Sequence, residues 1–173
     1  MRVGRWHLAV PMAGLLLVIG LAQRTRYVTI PVVDMLVPVP LVVALVTVTA
    51  GLLPLYSAFG ALERTLPRTP PVRAARVTTA VGLVFVAAWP ALRCDATAAL
   101  VCVLLATGVL AVVLIGDYAW VVGLSLAGAA LVMDAPPARH MTTVLTAVPL
   151  GLWGGMLVVA MVAYWWWGPR EAG

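Results

Sequence analysis

Apolar residues in this chain come in long unbroken runs, separated by short clusters of arginine, proline and acid. Runs of this kind predict transmembrane α-helices, because a bilayer core about 30 Å thick takes about 20 apolar residues to cross. Six are predicted, at residues 6–22, 36–59, 74–92, 96–115, 118–133 and 141–167. Helices are expected because in hydrocarbon every backbone polar group must be paired within the segment. The fold class is therefore all-α: a polytopic helix bundle forming a single transmembrane domain over residues 1–173.

The connections refine this picture. Span one, with Arg2 and Arg5 before it, resembles a secretory leader, but a first span also serves as the insertion signal of a polytopic protein and is expected to be retained. The stretch VTIPVVDMLVPVP that follows carries Pro31, Pro38 and Pro40 around Asp34. Its prolines remove backbone donors, which predicts an interfacial or kinked entry, with the second helix starting near Pro38 or Pro40. A tight Gly116-Asp117 turn joins spans four and five. Span six is long enough to cross with tilt, or to run along the interface at its aromatic end.

Composition excludes whole classes of function. The chain is 64% hydrophobic and only 10% charged, with a mean hydropathy of +1.08, whereas soluble domains are roughly 25% charged. Its basic side chains are all arginine, scattered singly between apolar runs, so no nucleic-acid-binding stripe is formed. Without lysine there is no Walker-type phosphate loop and no Schiff base. With the N-terminus inside, the cytoplasmic side holds Arg2, Arg5, Arg64, Arg68, Arg73, Arg76 and Arg170, against Arg24, Arg26, Arg93 and Arg139 outside. That bias predicts both termini in the cytoplasm of a multi-pass cell-membrane protein whose solvent is the lipid bilayer. Trp6, Tyr27, Tyr56, Trp89, Tyr118, Trp120 and the run from Tyr164 to Trp167 fall near span ends, as interfacial aromatic belts do.

Candidate chemistry is sparse. Asp95, Asp117 and Asp134 sit at span ends, where solvated helix caps are expected. Asp34 lies among prolines in an apolar run and is kept as a possible cavity acid, with an interfacial acid near Arg24 or Arg26 as the alternative. His7 and His140 lack ligand-spaced companions, and Ser57 and Ser125 lack a base, so no metal, cofactor or catalytic residue is assigned. Cys94 and Cys102, eight positions apart, match no redox or zinc spacing. Gly151 with Gly155, and Gly123 with Ala127, are small-residue pairs at the four-residue spacing that lets helices approach closely, within the bundle or across a dimer.

The one long polar stretch, residues 60–76, carries Glu63, Arg64, Arg68, Arg73 and Arg76, alternating with Leu62, Leu66 and Val72. It suits a short amphipathic element at the membrane surface, or a basic loop that only sets topology. Glu63-Arg64-Thr65-Leu66, then Thr69-Pro70, Arg73 and Arg76, resembles a shortened form of the signature between spans two and three of the type 2 permease family of ATP-binding-cassette exporters. The chain departs from that signature in having no glycine before Thr65 and in placing Pro67 inside the would-be helix. The resemblance implies that this loop is a coupling element docking on a separate nucleotide-binding ATPase subunit, and that the chain works as a homo- or hetero-dimer with another permease subunit. A permease subunit of an exporter is thus expected, its substrate unspecified. The alternatives are a non-catalytic membrane scaffold or accessory subunit and a small intramembrane enzyme resting on Asp34 and the loop acids.

Overall fold

The computed structural model describes residues 6–30, 35–52, 55, 70–93, 95–133 and 140–168. Among them are seven α-helices: α1 (Trp6–Ala22), α2 (Val39–Leu52), α3 (Pro70–Ala88), α4 (Asp95–Ile115), α5 (Ala119–Met133), α6 (His140–Ala147) and α7 (Leu150–Trp167). Between α1 and α2, strands β1 (Tyr27–Ile30) and β2 (Met35–Pro38) pair antiparallel, with Tyr27 opposite Pro38 and Ile30 opposite Met35. The described residues are otherwise helical, as the all-α expectation has it, and the hairpin is a local exception. Its Val, Ile and Thr residues favour a pleated backbone, and Pro38, at the last position of β2, costs the ladder little. Residues 36–38, the first of the predicted second span, belong to this strand, and α2 starts at Val39, between the two prolines expected to mark its start.

α4 is the hub. Its buried residues, from Ala98 and Leu100 through Leu105 to Val109 and Val112, lie on every side rather than along one stripe. It packs against α2, α5, α6 and, most extensively, α7, while α1 lies at the periphery against α2 and α3. Two glycines seat these contacts. A Cβ on Gly51 of α2 would collide with the Val84 side chain of α3, and one on Gly108 of α4 with Leu52. Hydroxyls in this apolar setting are satisfied locally: buried Thr47 and half-buried Thr49 donate to the carbonyls of Val43 and Leu45, each at 2.6 Å.

Residues 141–167, expected as one helix, are two. Val148 and Pro149 separate α6 from α7, since proline cannot donate to the carbonyl four residues back and crowds it. That carbonyl, on Leu145, accepts instead from the Trp153 indole Nε1 at 3.2 Å. The Leu152 N–H donates to the Pro149 carbonyl at 2.9 Å, opening the new helix. Trp153→Phe leaves the Leu145 acceptor unpaired at a cost of about 1 kcal/mol. The expected result is a fall of about 2–4 °C in the thermal midpoint of the detergent-solubilised protein; an unchanged midpoint would mean the bond contributes nothing.

Among the described residues two helices, Asp95–Ile115 and Leu150–Trp167, are long and apolar enough to cross a membrane. The other expected spans are shorter or more polar within the described residues. α2 has 14 residues, about 21 Å at 1.5 Å per residue, and α3 carries Arg73 and Arg76 in its first two turns. α3 also begins and ends earlier than expected, at Pro70 and Ala88, followed by a turn through Arg93.

Candidate functional site

The C-terminal part of the polar loop segment is where the candidate residues meet the bundle. Pro70 opens α3, a position where a missing N–H costs nothing because the first helical donors are unpaired in any case. Arg73, one turn in, is a cation near an N-terminus, the wrong sign for that helix's own dipole. Its guanidinium instead reaches across to the C-terminal end of α7. Nη1 lies 3.5 Å from the Trp166 carbonyl oxygen, a long contact that acts chiefly through charge. A cation at the negative end of a helix is worth about 0.3–1 kcal/mol.

Gly168 makes this approach possible. It closes α7 with φ 72° and ψ −178°, and its N–H donates to the Tyr164 carbonyl at 2.8 Å. That backbone region is essentially restricted to glycine. A Cβ there would also sit 2.9 Å from Cζ of Arg73. Nε of Arg73 is buried with no hydrogen-bond partner, so the guanidinium is held by packing and charge more than by hydrogen bonds. Arg76 follows one turn later, half-buried.

α7 ends in an aromatic run whose members divide. Tyr164, expected in the interfacial belt, is fully buried in the core, whereas Trp166 and Trp167 stand 72% and 70% exposed. Four consecutive helical residues span more than one turn, so they cannot all share a face. Arg73 therefore touches α7 where its buried and exposed aromatics meet.

The other candidates are dispersed. Glu63, Arg64, Thr65, Leu66 and Thr69 lie outside the described residues, as do Asp34, Asp134, Ser57 and Cys94. Asp95 is the exposed first residue of α4, and Cys102 is a free, buried thiol inside that helix. Gly123 of α5 is buried, with a Cβ position 3.8 Å from Thr49, and Ala127 packs against the core. Gly151 and Gly155 have nothing within 4 Å and face outward. Gly51 and Gly108, whose Cβ positions collide with side chains of neighbouring helices, stand in no small-residue pair of the kind read from the sequence. Gly168 and Trp153 were equally silent there, although a proline four residues before a tryptophan inside a long apolar run is a signal for the latter.

Among the described residues no group of three His, Cys, Asp or Glu side chains could hold a metal ion. The described core is uncharged, and its one buried polar residue is Thr47. A shallow crevice between α1, α2 and α3, lined by Ala13, Leu16, Ala50, Gly51, Leu83 and Val84, is apolar apart from Thr47. No protein-family model, curated protein or solved structure matches the chain.

Proposed function

We propose that this chain is a six-span membrane subunit, both termini cytoplasmic, that serves as the permease of an exporter driven by a separate ATPase. The membrane arrangement is supported by where the apolar surface lies. Val10, Leu15, Val18 and Leu21 of α1, and Leu152, Val158, Val159 and Val162 of α7, are exposed although the core beneath them is equally apolar. A bundle that is apolar inside and out is stable where its solvent is also apolar. The start of α3 meets the end of α7 through Arg73, and the end of α1 meets the turn after α3 through Gly20 and Pro90. So α3 and α7 run in opposite senses while α1 and α3 run in the same sense, which fits repeated crossings.

The observation that carries the permease reading is the reach of Arg73. The segment that resembles a coupling element includes Arg73, whose guanidinium rests on the C-terminus of α7. A push delivered to the loop by a nucleotide-binding partner would therefore move α3 and α7 together, and α7 is the main neighbour of the central α4. With an uncharged, closely packed described core, the transport path lies between this chain and a second permease subunit rather than through one bundle. The uncharged core equally favours the second reading, a scaffold or accessory subunit that holds partners without moving cargo.

Co-purification separates the two. Full-length chain extracted in mild detergent is expected to retain an ATP-hydrolysing subunit, and Glu63→Ala with Arg64→Ala is expected to lose that activity while the circular dichroism is unchanged. No ATPase in the wild-type complex, or equal retention by the variant, leaves the scaffold reading.

A further inference from the structure

We propose that the end of the bundle built from the β1–β2 hairpin and the turn after α3 binds the phosphate groups of anionic phospholipids; this rests on the membrane arrangement proposed above. Arg24 and Arg26, both exposed, follow directly on the end of α1 at Ala22. The Val39 N–H donates to the Arg26 carbonyl at 3.0 Å, which ties this turn to the start of α2. Gly20 lies against Pro90, with a Cβ position 3.2 Å from its Cγ, so the turn bearing exposed Trp89 and Arg93 is at the same end. No guanidinium of these three arginines has a hydrogen-bond or ion-pair partner among the described residues. The described acid at that end is Asp95, itself exposed.

Among the described residues, three guanidiniums beside one carboxylate make a surface of net positive charge, and the guanidinium fork matches two oxygens of one phosphate. The apolar residues beside it select a lipid over free phosphate. Tyr27 and Val28 are 65% and 48% exposed on strands of four residues each, and a two-stranded hairpin this short is marginal in water. Seated at the lipid headgroup level, its Tyr27 and the nearby Trp89 occupy the depth that amphipathic aromatics prefer, while the arginines reach the phosphates.

The test uses purified full-length protein in mixed micelles of phosphatidylglycerol and phosphatidylcholine, with the co-purifying lipid measured by mass spectrometry. Phosphatidylglycerol is expected to be enriched, with a loss of about fivefold for each arginine replaced in the series Arg24→Gln, Arg26→Gln and Arg93→Gln, the equivalent of about 1 kcal/mol per charge. The corresponding lysine substitutions keep most of the enrichment. Equal uptake of both lipids by the wild type, enrichment that survives all three glutamines, or displacement by inorganic phosphate overturns the proposal. Release of the chain from its native membranes by alkaline carbonate would overturn the membrane arrangement and this surface with it. Retention in the membrane without lipid preference overturns the surface alone.

Discussion

Gly51→Val is expected to lower the thermal midpoint of the detergent-solubilised protein by roughly 3–10 °C, whereas Gly155→Val leaves it within about 1 °C. Both glycines are helical, and valine has the higher helix propensity at either position, so intrinsic preference alone predicts a gain in both. Packing reverses the sign at one of them. The Cβ at Gly51 would enter the space of Val84, a β-branched side chain 1% exposed and held between helices, while the Cβ at Gly155 meets nothing. Overpacking of this kind costs about 1–3 kcal/mol. Equal losses in the two variants would show that the outward face of α7 is covered by something outside this chain.

Gly168→Val is expected to cost about 1–3 kcal/mol through backbone strain alone, because φ 72° with ψ −178° suits no side chain. The collision with Arg73 adds to this, and the two contributions can be separated. In an Arg73→Ala background the steric part disappears and the backbone part remains, so the double variant loses less than the sum of the singles. Strict additivity would mean that Arg73 does not sit over Gly168. Arg73→Ala alone removes the charge at the end of α7 and is expected to cost up to about 1 kcal/mol. On the permease reading proposed above, the same variant is expected to lower transport per ATP hydrolysed in a complex reconstituted with the ATPase subunit. Each midpoint follows from circular dichroism, with tryptophan emission reporting on the end of α7.

Turns and helix starts were the most legible features in the residues themselves. Asp95 marks the start of α4, the Gly116-Asp117 pair gives the three-residue turn after it, with Gly116 at φ 63°, and Val39 opens α2 between the two prolines expected to set its start. These are local decisions, made by backbone freedom, a missing N–H or a capping charge within a few residues. Where a local signal was misread, the structure shows the competing effect. The apolar run predicts one long span through Pro149, yet a proline within a helix removes a bond whatever its neighbours. The stretch before α2, whose prolines predict an interfacial or kinked entry, pairs as a hairpin through its β-branched residues.

The candidate site was legible only as a cluster of charges after the second predicted span. That Arg73 serves α7, ninety-three residues away, depends on a packing of α3 against α7 that no spacing records. By itself the sequence determined that the chain is apolar and largely helical, and where its punctuation falls. Only the tertiary structure decided which face of each helix turns inward: Gly51 and Gly108 into contacts and Gly151 and Gly155 away from them, Tyr164 into the core and Trp166 out of it. The physical reason is the same in every case. A helix apolar on all sides has no polar stripe to mark its outer face, so its orientation is set by side-chain shapes meeting across helices far apart in the chain.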